Sequence, residues 1–153
     1  MEALSLARRV FRGWVGSSTG AEARVRLFER VRDIPYAVVP RLLDPARYAE
    51  ILLVGRGSCT PKHLLLADYL ARLGVPVLLE VYPFLWAEVP VDFPPSLRAR
   101  ARALPPQYHL CLRAEIEGRL VLLDGTVDPP LERAGLPVNR SWDGVSDTRL
   151  PVE

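Results

Sequence analysis

The chain has 153 residues, 49% of them apolar and 25% charged, and a net charge of +2. That length suits one domain over residues 1–153, able to bury roughly two-thirds of its unfolded surface without staples. The near-neutral balance calls for neither nucleic acid nor an anionic membrane as partner, and two cysteines make no disulfide framework.

The N-terminal stretch ALSLARRVFRGW spaces its apolar residues as an amphipathic helix does, with Arg8, Arg9 and Arg12 between them. It has no uninterrupted apolar segment of the kind that opens a secretory leader. No apolar run reaches the ~18 residues of a membrane span. A cytoplasmic location with reduced thiols is expected. Ser17, Ser18 and Thr19 offer caps for a second helix, AEARVRLFERVRDI, which stops before Pro35. Asp44-Pro45 is a cap and first turn for PARYAEILLV, ended by Gly55. Ser58 or Thr60, followed by Pro61, begins the helix KHLLLADYLARL, with Gly74 beyond its end.

The period then changes. VPVLLEVY, residues 75–82, reads as a strand buried on both faces. Six prolines between residues 83 and 107 interrupt regular structure, leaving room for a brief helix from Ser96. YHLCLRAEI alternates, and GRLVLLDGT follows beyond Glu117-Gly118, which predicts a hairpin. The tail from Asp128 is loop-rich. Helices first and antiparallel strands later give an α+β domain.

Both histidines and both cysteines lie in two short segments, Cys59 with His63 and His109 with Cys111. Alternation sets Tyr108, Leu110, Leu112, Ala114 and Ile116 on a core face and His109, Cys111, Arg113 and Glu115 on the other. A two-residue turn at Glu117-Gly118 pairs 116 with 119 and, further along, 111 with 124. Asp124 is then diagonal to His109 on its face, about 7–8 Å away at the backbone and within side-chain reach. The helix that begins near Cys59 is expected to pack on that face. A carboxylate that orients an imidazole, beside a cysteine at a helix N-terminus, supplies base, orienting group and nucleophile for acyl chemistry.

The segments GRGSCTPKHLLLADYLARLGVPV and HLCLRAEIEGRLVLLDGTVDP, with LFERVRDIPY upstream, resemble the transglutaminase-like superfamily over about residues 22–130. The resemblance implies a papain-like fold, its cysteine helix packed on an antiparallel sheet. It also implies Cys59 as nucleophile, His109 as base and Asp124 as orienting acid, with Thr126 and Asp128 in the flanking motif. It implies no cofactor, and a peptide or small amide as substrate. Cys111 stands where the superfamily commonly has an aromatic residue.

Other readings attach to the same residues. Cys59, His63, His109 and Cys111 are ligand types for a Cys2His2 zinc site, though without the usual cysteine spacing. An inactive binding domain is a third reading. Cys59 and Cys111 lack a C-x-x-C motif for redox work. His63 reads as structural, Lys62 as a solvated first-turn lysine, and Arg98, Arg100 and Arg102 as a solvated face. Trp14, Trp86 and Trp142 read as packing residues, with Trp86 in a segment that flanks a cleft. Nineteen of the twenty basic residues are arginine and amides are scarce, as in thermophile proteins.

Overall fold

The computed structural model describes residues 2–152. Four helices come first: α1 (Glu2–Val15), α2 (Gly20–Arg32), the short α3 (Ile51–Val54) and α4 (Cys59–Arg72). They are followed by β1 (Val77–Phe84), α5 (Pro95–Ala103), β2 (Gln107–Ile116) and β3 (Arg119–Leu123). Single 3-10 segments at Pro40–Leu43, Pro45–Glu50 and Pro129–Ala134 fill connections. The expected α+β class is what is observed, with a three-stranded antiparallel sheet in the order β1-β2-β3.

Helical periodicity explains how the first half packs. Ala7 of α1, Leu27, Phe28 and Val31 of α2, and Leu65, Leu66, Tyr69 and Leu70 of α4 are all fully buried. They share one apolar cluster with Leu112, Ala114, Ile116, Val121 and Leu123 of the hairpin. Tyr69 adds a polar link, its hydroxyl donating to the Ala7 carbonyl at 3.1 Å. Trp14 meets the Tyr69 ring edge-on at 5.7 Å, and Trp142 packs on Phe28 at 5.2 Å, both as core aromatics.

Helix starts differ in detail from expectation. Thr19 is the N-cap of α2, but its side chain makes no capping bond. Ser18 donates to Glu22 instead, at 2.9 Å. Asp44 does cap, accepting the Ala46 N–H at 2.9 Å, yet residues 45–50 wind as a 3-10 helix before α3 begins. Gly55 ends α3 in the left-handed region, at φ 72°.

The hairpin has the predicted register: Ile116 pairs with Arg119, and the ladder runs to Leu112 with Leu123. Glu117 and Gly118 both have positive φ, 53° and 77°, the signature of a tight turn whose twist suits a hairpin. Two expectations fail. The first strand is not buried on both faces: Leu78, Leu79 and Val81 are each more than half exposed. The reason is cover, since β1 lies at the outer edge of the sheet, where the helix that covers β2 scarcely reaches it. Tyr108, assigned to the core face, is 72% exposed. It sits near the start of β2, beyond the region where the helices cover the sheet.

Candidate functional site

Cys59 is the first residue of α4, with Ser58 as N-cap. Its approach loop is pinned in place. The Gly57 N–H donates to the Pro35 carbonyl at 3.0 Å, and the Ala37 N–H donates to the Gly57 carbonyl at 3.2 Å. Gly57 admits no larger residue comfortably, because a Cβ there would lie 2.6 Å from Ile51 Cδ1 and 2.9 Å from Pro61 Cγ. The glycine lets the loop lie flat against α3, which fixes where α4 starts and where the sulfur points.

β3 stops at Leu123, so the edge of β2 beyond Leu112 has no strand beside it. Cys59 meets the hairpin there. This corrects the expectation that α4 rests on the His109 face, for α4 buries its leucines in the shared core cluster and only its N-terminal end, Cys59 and His63, reaches His109. Burial alone would raise the Cys59 thiol. Hydrogen bonds to His109 and to the Leu110 backbone N–H, the His109 charge and the Thr60 hydroxyl outweigh it and hold the thiol below its usual value. The α4 N-terminus favours a thiolate in the same sense. Cys111 is fully buried, and burial first, then the negative charges of Asp124 and Glu80, push its thiol up to about 12. The two cysteines are thus chemically unlike.

His109 and Asp124 face each other, with His109 Nε2 hydrogen-bonded to Asp124 Oδ2. That leaves Nδ1 as the ring nitrogen for Cys59. Burial would lower the His109 pKa, but the Asp124 hydrogen bond, the Cys59 hydrogen bond and both negative charges raise it to about 9. Asp124 is held as firmly. Its Oδ1 accepts the Thr126 N–H at 2.9 Å, its own N–H donates to Thr148 Oγ1 at 2.7 Å, and its carbonyl accepts from Asn139 Nδ2 at 2.8 Å. Burial works to raise its carboxyl, and the His109 hydrogen bond and charge, with the Thr126 N–H, bring it below the ordinary value.

His63, fully buried one turn into α4, is a support. Its Nε2 accepts the Gly125 N–H at 3.0 Å, tying α4 to the residue after Asp124. A nitrogen that accepts this bond carries no proton, so the ring is the neutral Nδ1–H tautomer. Burial first, and the positive neighbours His109 and Lys62, pull its pKa down to about 4 against the pull of Asp124. Its ring stands edge-on to His109 at 6.1 Å.

Lys62 overturns its sequence reading. It is fully buried, and its ammonium donates to the carbonyls of Arg32 (2.8 Å), Ile34 (2.9 Å) and Thr126 (2.8 Å). Burial pulls its pKa down to about 8, opposed by Asp128, Asp124 and Asp33. One side chain therefore clamps the end of α2 to the loop that carries Asp124. Asp128 makes a parallel tie, accepting the Tyr36 N–H at 2.8 Å.

Tyr36 was not singled out from the sequence. It bridges Gly57 and lines the cleft beside His109, and burial and then the Cys59 charge raise its phenol so that it stays a neutral donor. The signal available was its place beside Pro35 at the end of a helix, which is too common to notice. The cleft, about 220 Å³, is walled by aromatic and aliphatic side chains from residues 84–93 and from the segment after Asp128. Trp86 belongs to that wall.

The Cys2His2 set is not assembled as ligands. Nε2 of His63 is taken by Gly125 and Nε2 of His109 by Asp124. Among the described residues no group of three or more His, Cys, Asp and Glu is placed to hold a metal ion. No described helix is long and apolar enough to cross a membrane.

No family model and no curated protein matches the chain. A crystal structure from Parabacteroides distasonis, described as that of a "putative protease", is similar in fold at TM-score 0.50 and 14% identity. The likeness covers 80% of this chain and 23% of that one, so the chain spans about a quarter of its neighbour's length.

Proposed function

We propose that the chain performs cysteine-dependent acyl chemistry on an amide, on a papain-like, transglutaminase-like core. Cys59 is the nucleophile, His109 the base and Asp124 the group that orients it. The observation that carries the reading is the division of labour on one imidazole: Asp124 occupies Nε2, and Cys59, at the N-terminus of α4, lies close enough to the ring for each to shift the other's pKa. The neighbour's description as a protease agrees in bond type, an amide.

The depressed thiol and raised imidazole favour a thiolate–imidazolium pair at neutral pH. The thiolate attacks the amide carbon and a C–S bond forms, while the carbonyl oxygen takes the negative charge. The Cys59 N–H at the start of α4 and the Tyr36 phenol are donors for that oxygen. The C–N bond then breaks, and the leaving amine takes its proton from His109. Water or a second amine attacks the thioester and gives a proton to His109. The C–S bond breaks, releasing acid or new amide and restoring the thiolate–imidazolium pair. Asp124 keeps its negative charge throughout and holds the ring in one tautomer.

Iodoacetamide labelling near neutral pH tests this. Cys59 is expected to alkylate far faster than Cys111, and Asp124→Asn to move its pH profile up toward the ordinary thiol range by weakening the imidazolium. Slow and equal labelling of the two cysteines sinks the proposal.

A further inference from the structure

We infer that the cleft beside His109 receives an aromatic or branched aliphatic side chain of the acyl donor. The inference rests on the reading of Cys59 and His109 above and names the class of substrate they serve. Phe84, Trp86 and Phe93 form a chain of edge-on rings, with centroids 5.3 and 6.3 Å apart. Valines 89 and 91 and Leu131 close the walls. An apolar cavity of about 150 Å³ holds a benzene ring, so about 220 Å³ takes one ring or one branched side chain and little more.

Charge excludes the alternatives. His109 and Tyr36 are the ionisable side chains on the lining, and both belong to the chemistry. The His109 charge is already taken by Asp124 and Cys59, so a carboxylate or ammonium entering the cleft finds no free counter-ion and stays desolvated. One polar atom is left over. Thr126 Oγ1 is buried, has no hydrogen-bond partner, and belongs to a residue on the lining. Shut off from the open cleft, that hydroxyl offers an entering carboxylate or ammonium no partner either. Apolar walls and a volume of one side chain, beside the base, together describe a side-chain subsite.

The test compares alkylation of Cys59 by acetyl-Phe, acetyl-Leu, acetyl-Ala and acetyl-Glu chloromethyl ketones, each divided by the iodoacetamide rate of the same protein. Phe and Leu should exceed Ala by about tenfold or more, with Glu slowest. Val91→Trp, which fills the cleft, should remove the preference, and the iodoacetamide rate of that variant separates a filled cleft from a misfolded chain. Ketone rates within about twofold of one another, with Cys59 still selectively labelled by iodoacetamide, overturn the subsite and leave the acyl chemistry standing. Unselective iodoacetamide labelling removes the chemistry instead. The cleft is then judged by tryptophan fluorescence through Trp86: quenching by N-acetylphenylalaninamide but not by N-acetylalaninamide supports it, and no difference overturns it.

Discussion

At the scale of single residues, the candidate site depends on groups that never touch a substrate. Lys62 sits three residues after Cys59 and satisfies three carbonyls from two distant segments. Lys62→Met keeps the length and apolar stem but leaves those carbonyls buried and unpaired. The expected cost is about 3 kcal/mol, because each unsatisfied group loses its solvation and relief of the buried charge returns only part of it. Chemical denaturation measures this, and a loss under about 1 kcal/mol would mean that water replaces the ammonium. The sequence hid the role. A lysine in a first turn is ordinarily solvated, and nothing near position 62 announces that the carbonyls of Arg32 and Thr126 converge on it.

Elements were easier to read where local chemistry sets them. The hairpin register followed from alternation and a two-residue turn at Glu117-Gly118. What escaped was everything decided by neighbours in space. β1 looked doubly buried because its residues are apolar, yet burial depends on sheet order, which short-range patterns do not encode. His109 and Asp124 were legible as a pair because one hairpin carries both; Tyr36 was not, since a separate loop brings it in. The turn itself allows a prediction. Glu117 holds φ 53° with a side chain poorly suited to it. Glu117→Asn should stabilise the chain by about 0.5–1 kcal/mol, since Asn tolerates that region and Asn-Gly favours this turn. A rise in denaturation midpoint with unchanged slope is the expected signature, and no rise would mean that Glu117 has a surface partner worth as much.

For the molecule as a whole, buried titrating groups tie stability to pH. His63 is neutral when folded and has a pKa of about 4, against 6.5 for a free histidine. Between those values the unfolded chain binds a proton that the folded chain refuses, so stability is present above pH 6.5 and lost as pH falls toward 4. The loss attributable to His63 is about 3 kcal/mol across that window. Asp124 adds a further loss at lower pH, since its carboxyl is depressed in the fold. Unfolding free energies measured from pH 7 to 4 should fall, and His63→Gln, which retains an acceptor for the Gly125 N–H, should flatten the curve. An unchanged slope in that variant would assign acid sensitivity elsewhere.

Lys62 is also the chain's only lysine, and sealing it inside the fold gives the molecule an unusual reagent profile. Reagents and enzymes that require a lysine ε-amine find no target on the native surface. Each becomes reactive only when the α2 end, the Asp124 loop and α4 part company. The ε-amine thus reports opening of the region that holds the nucleophile. Its modification, once made, prevents the clamp from closing again and commits that molecule to the opened state.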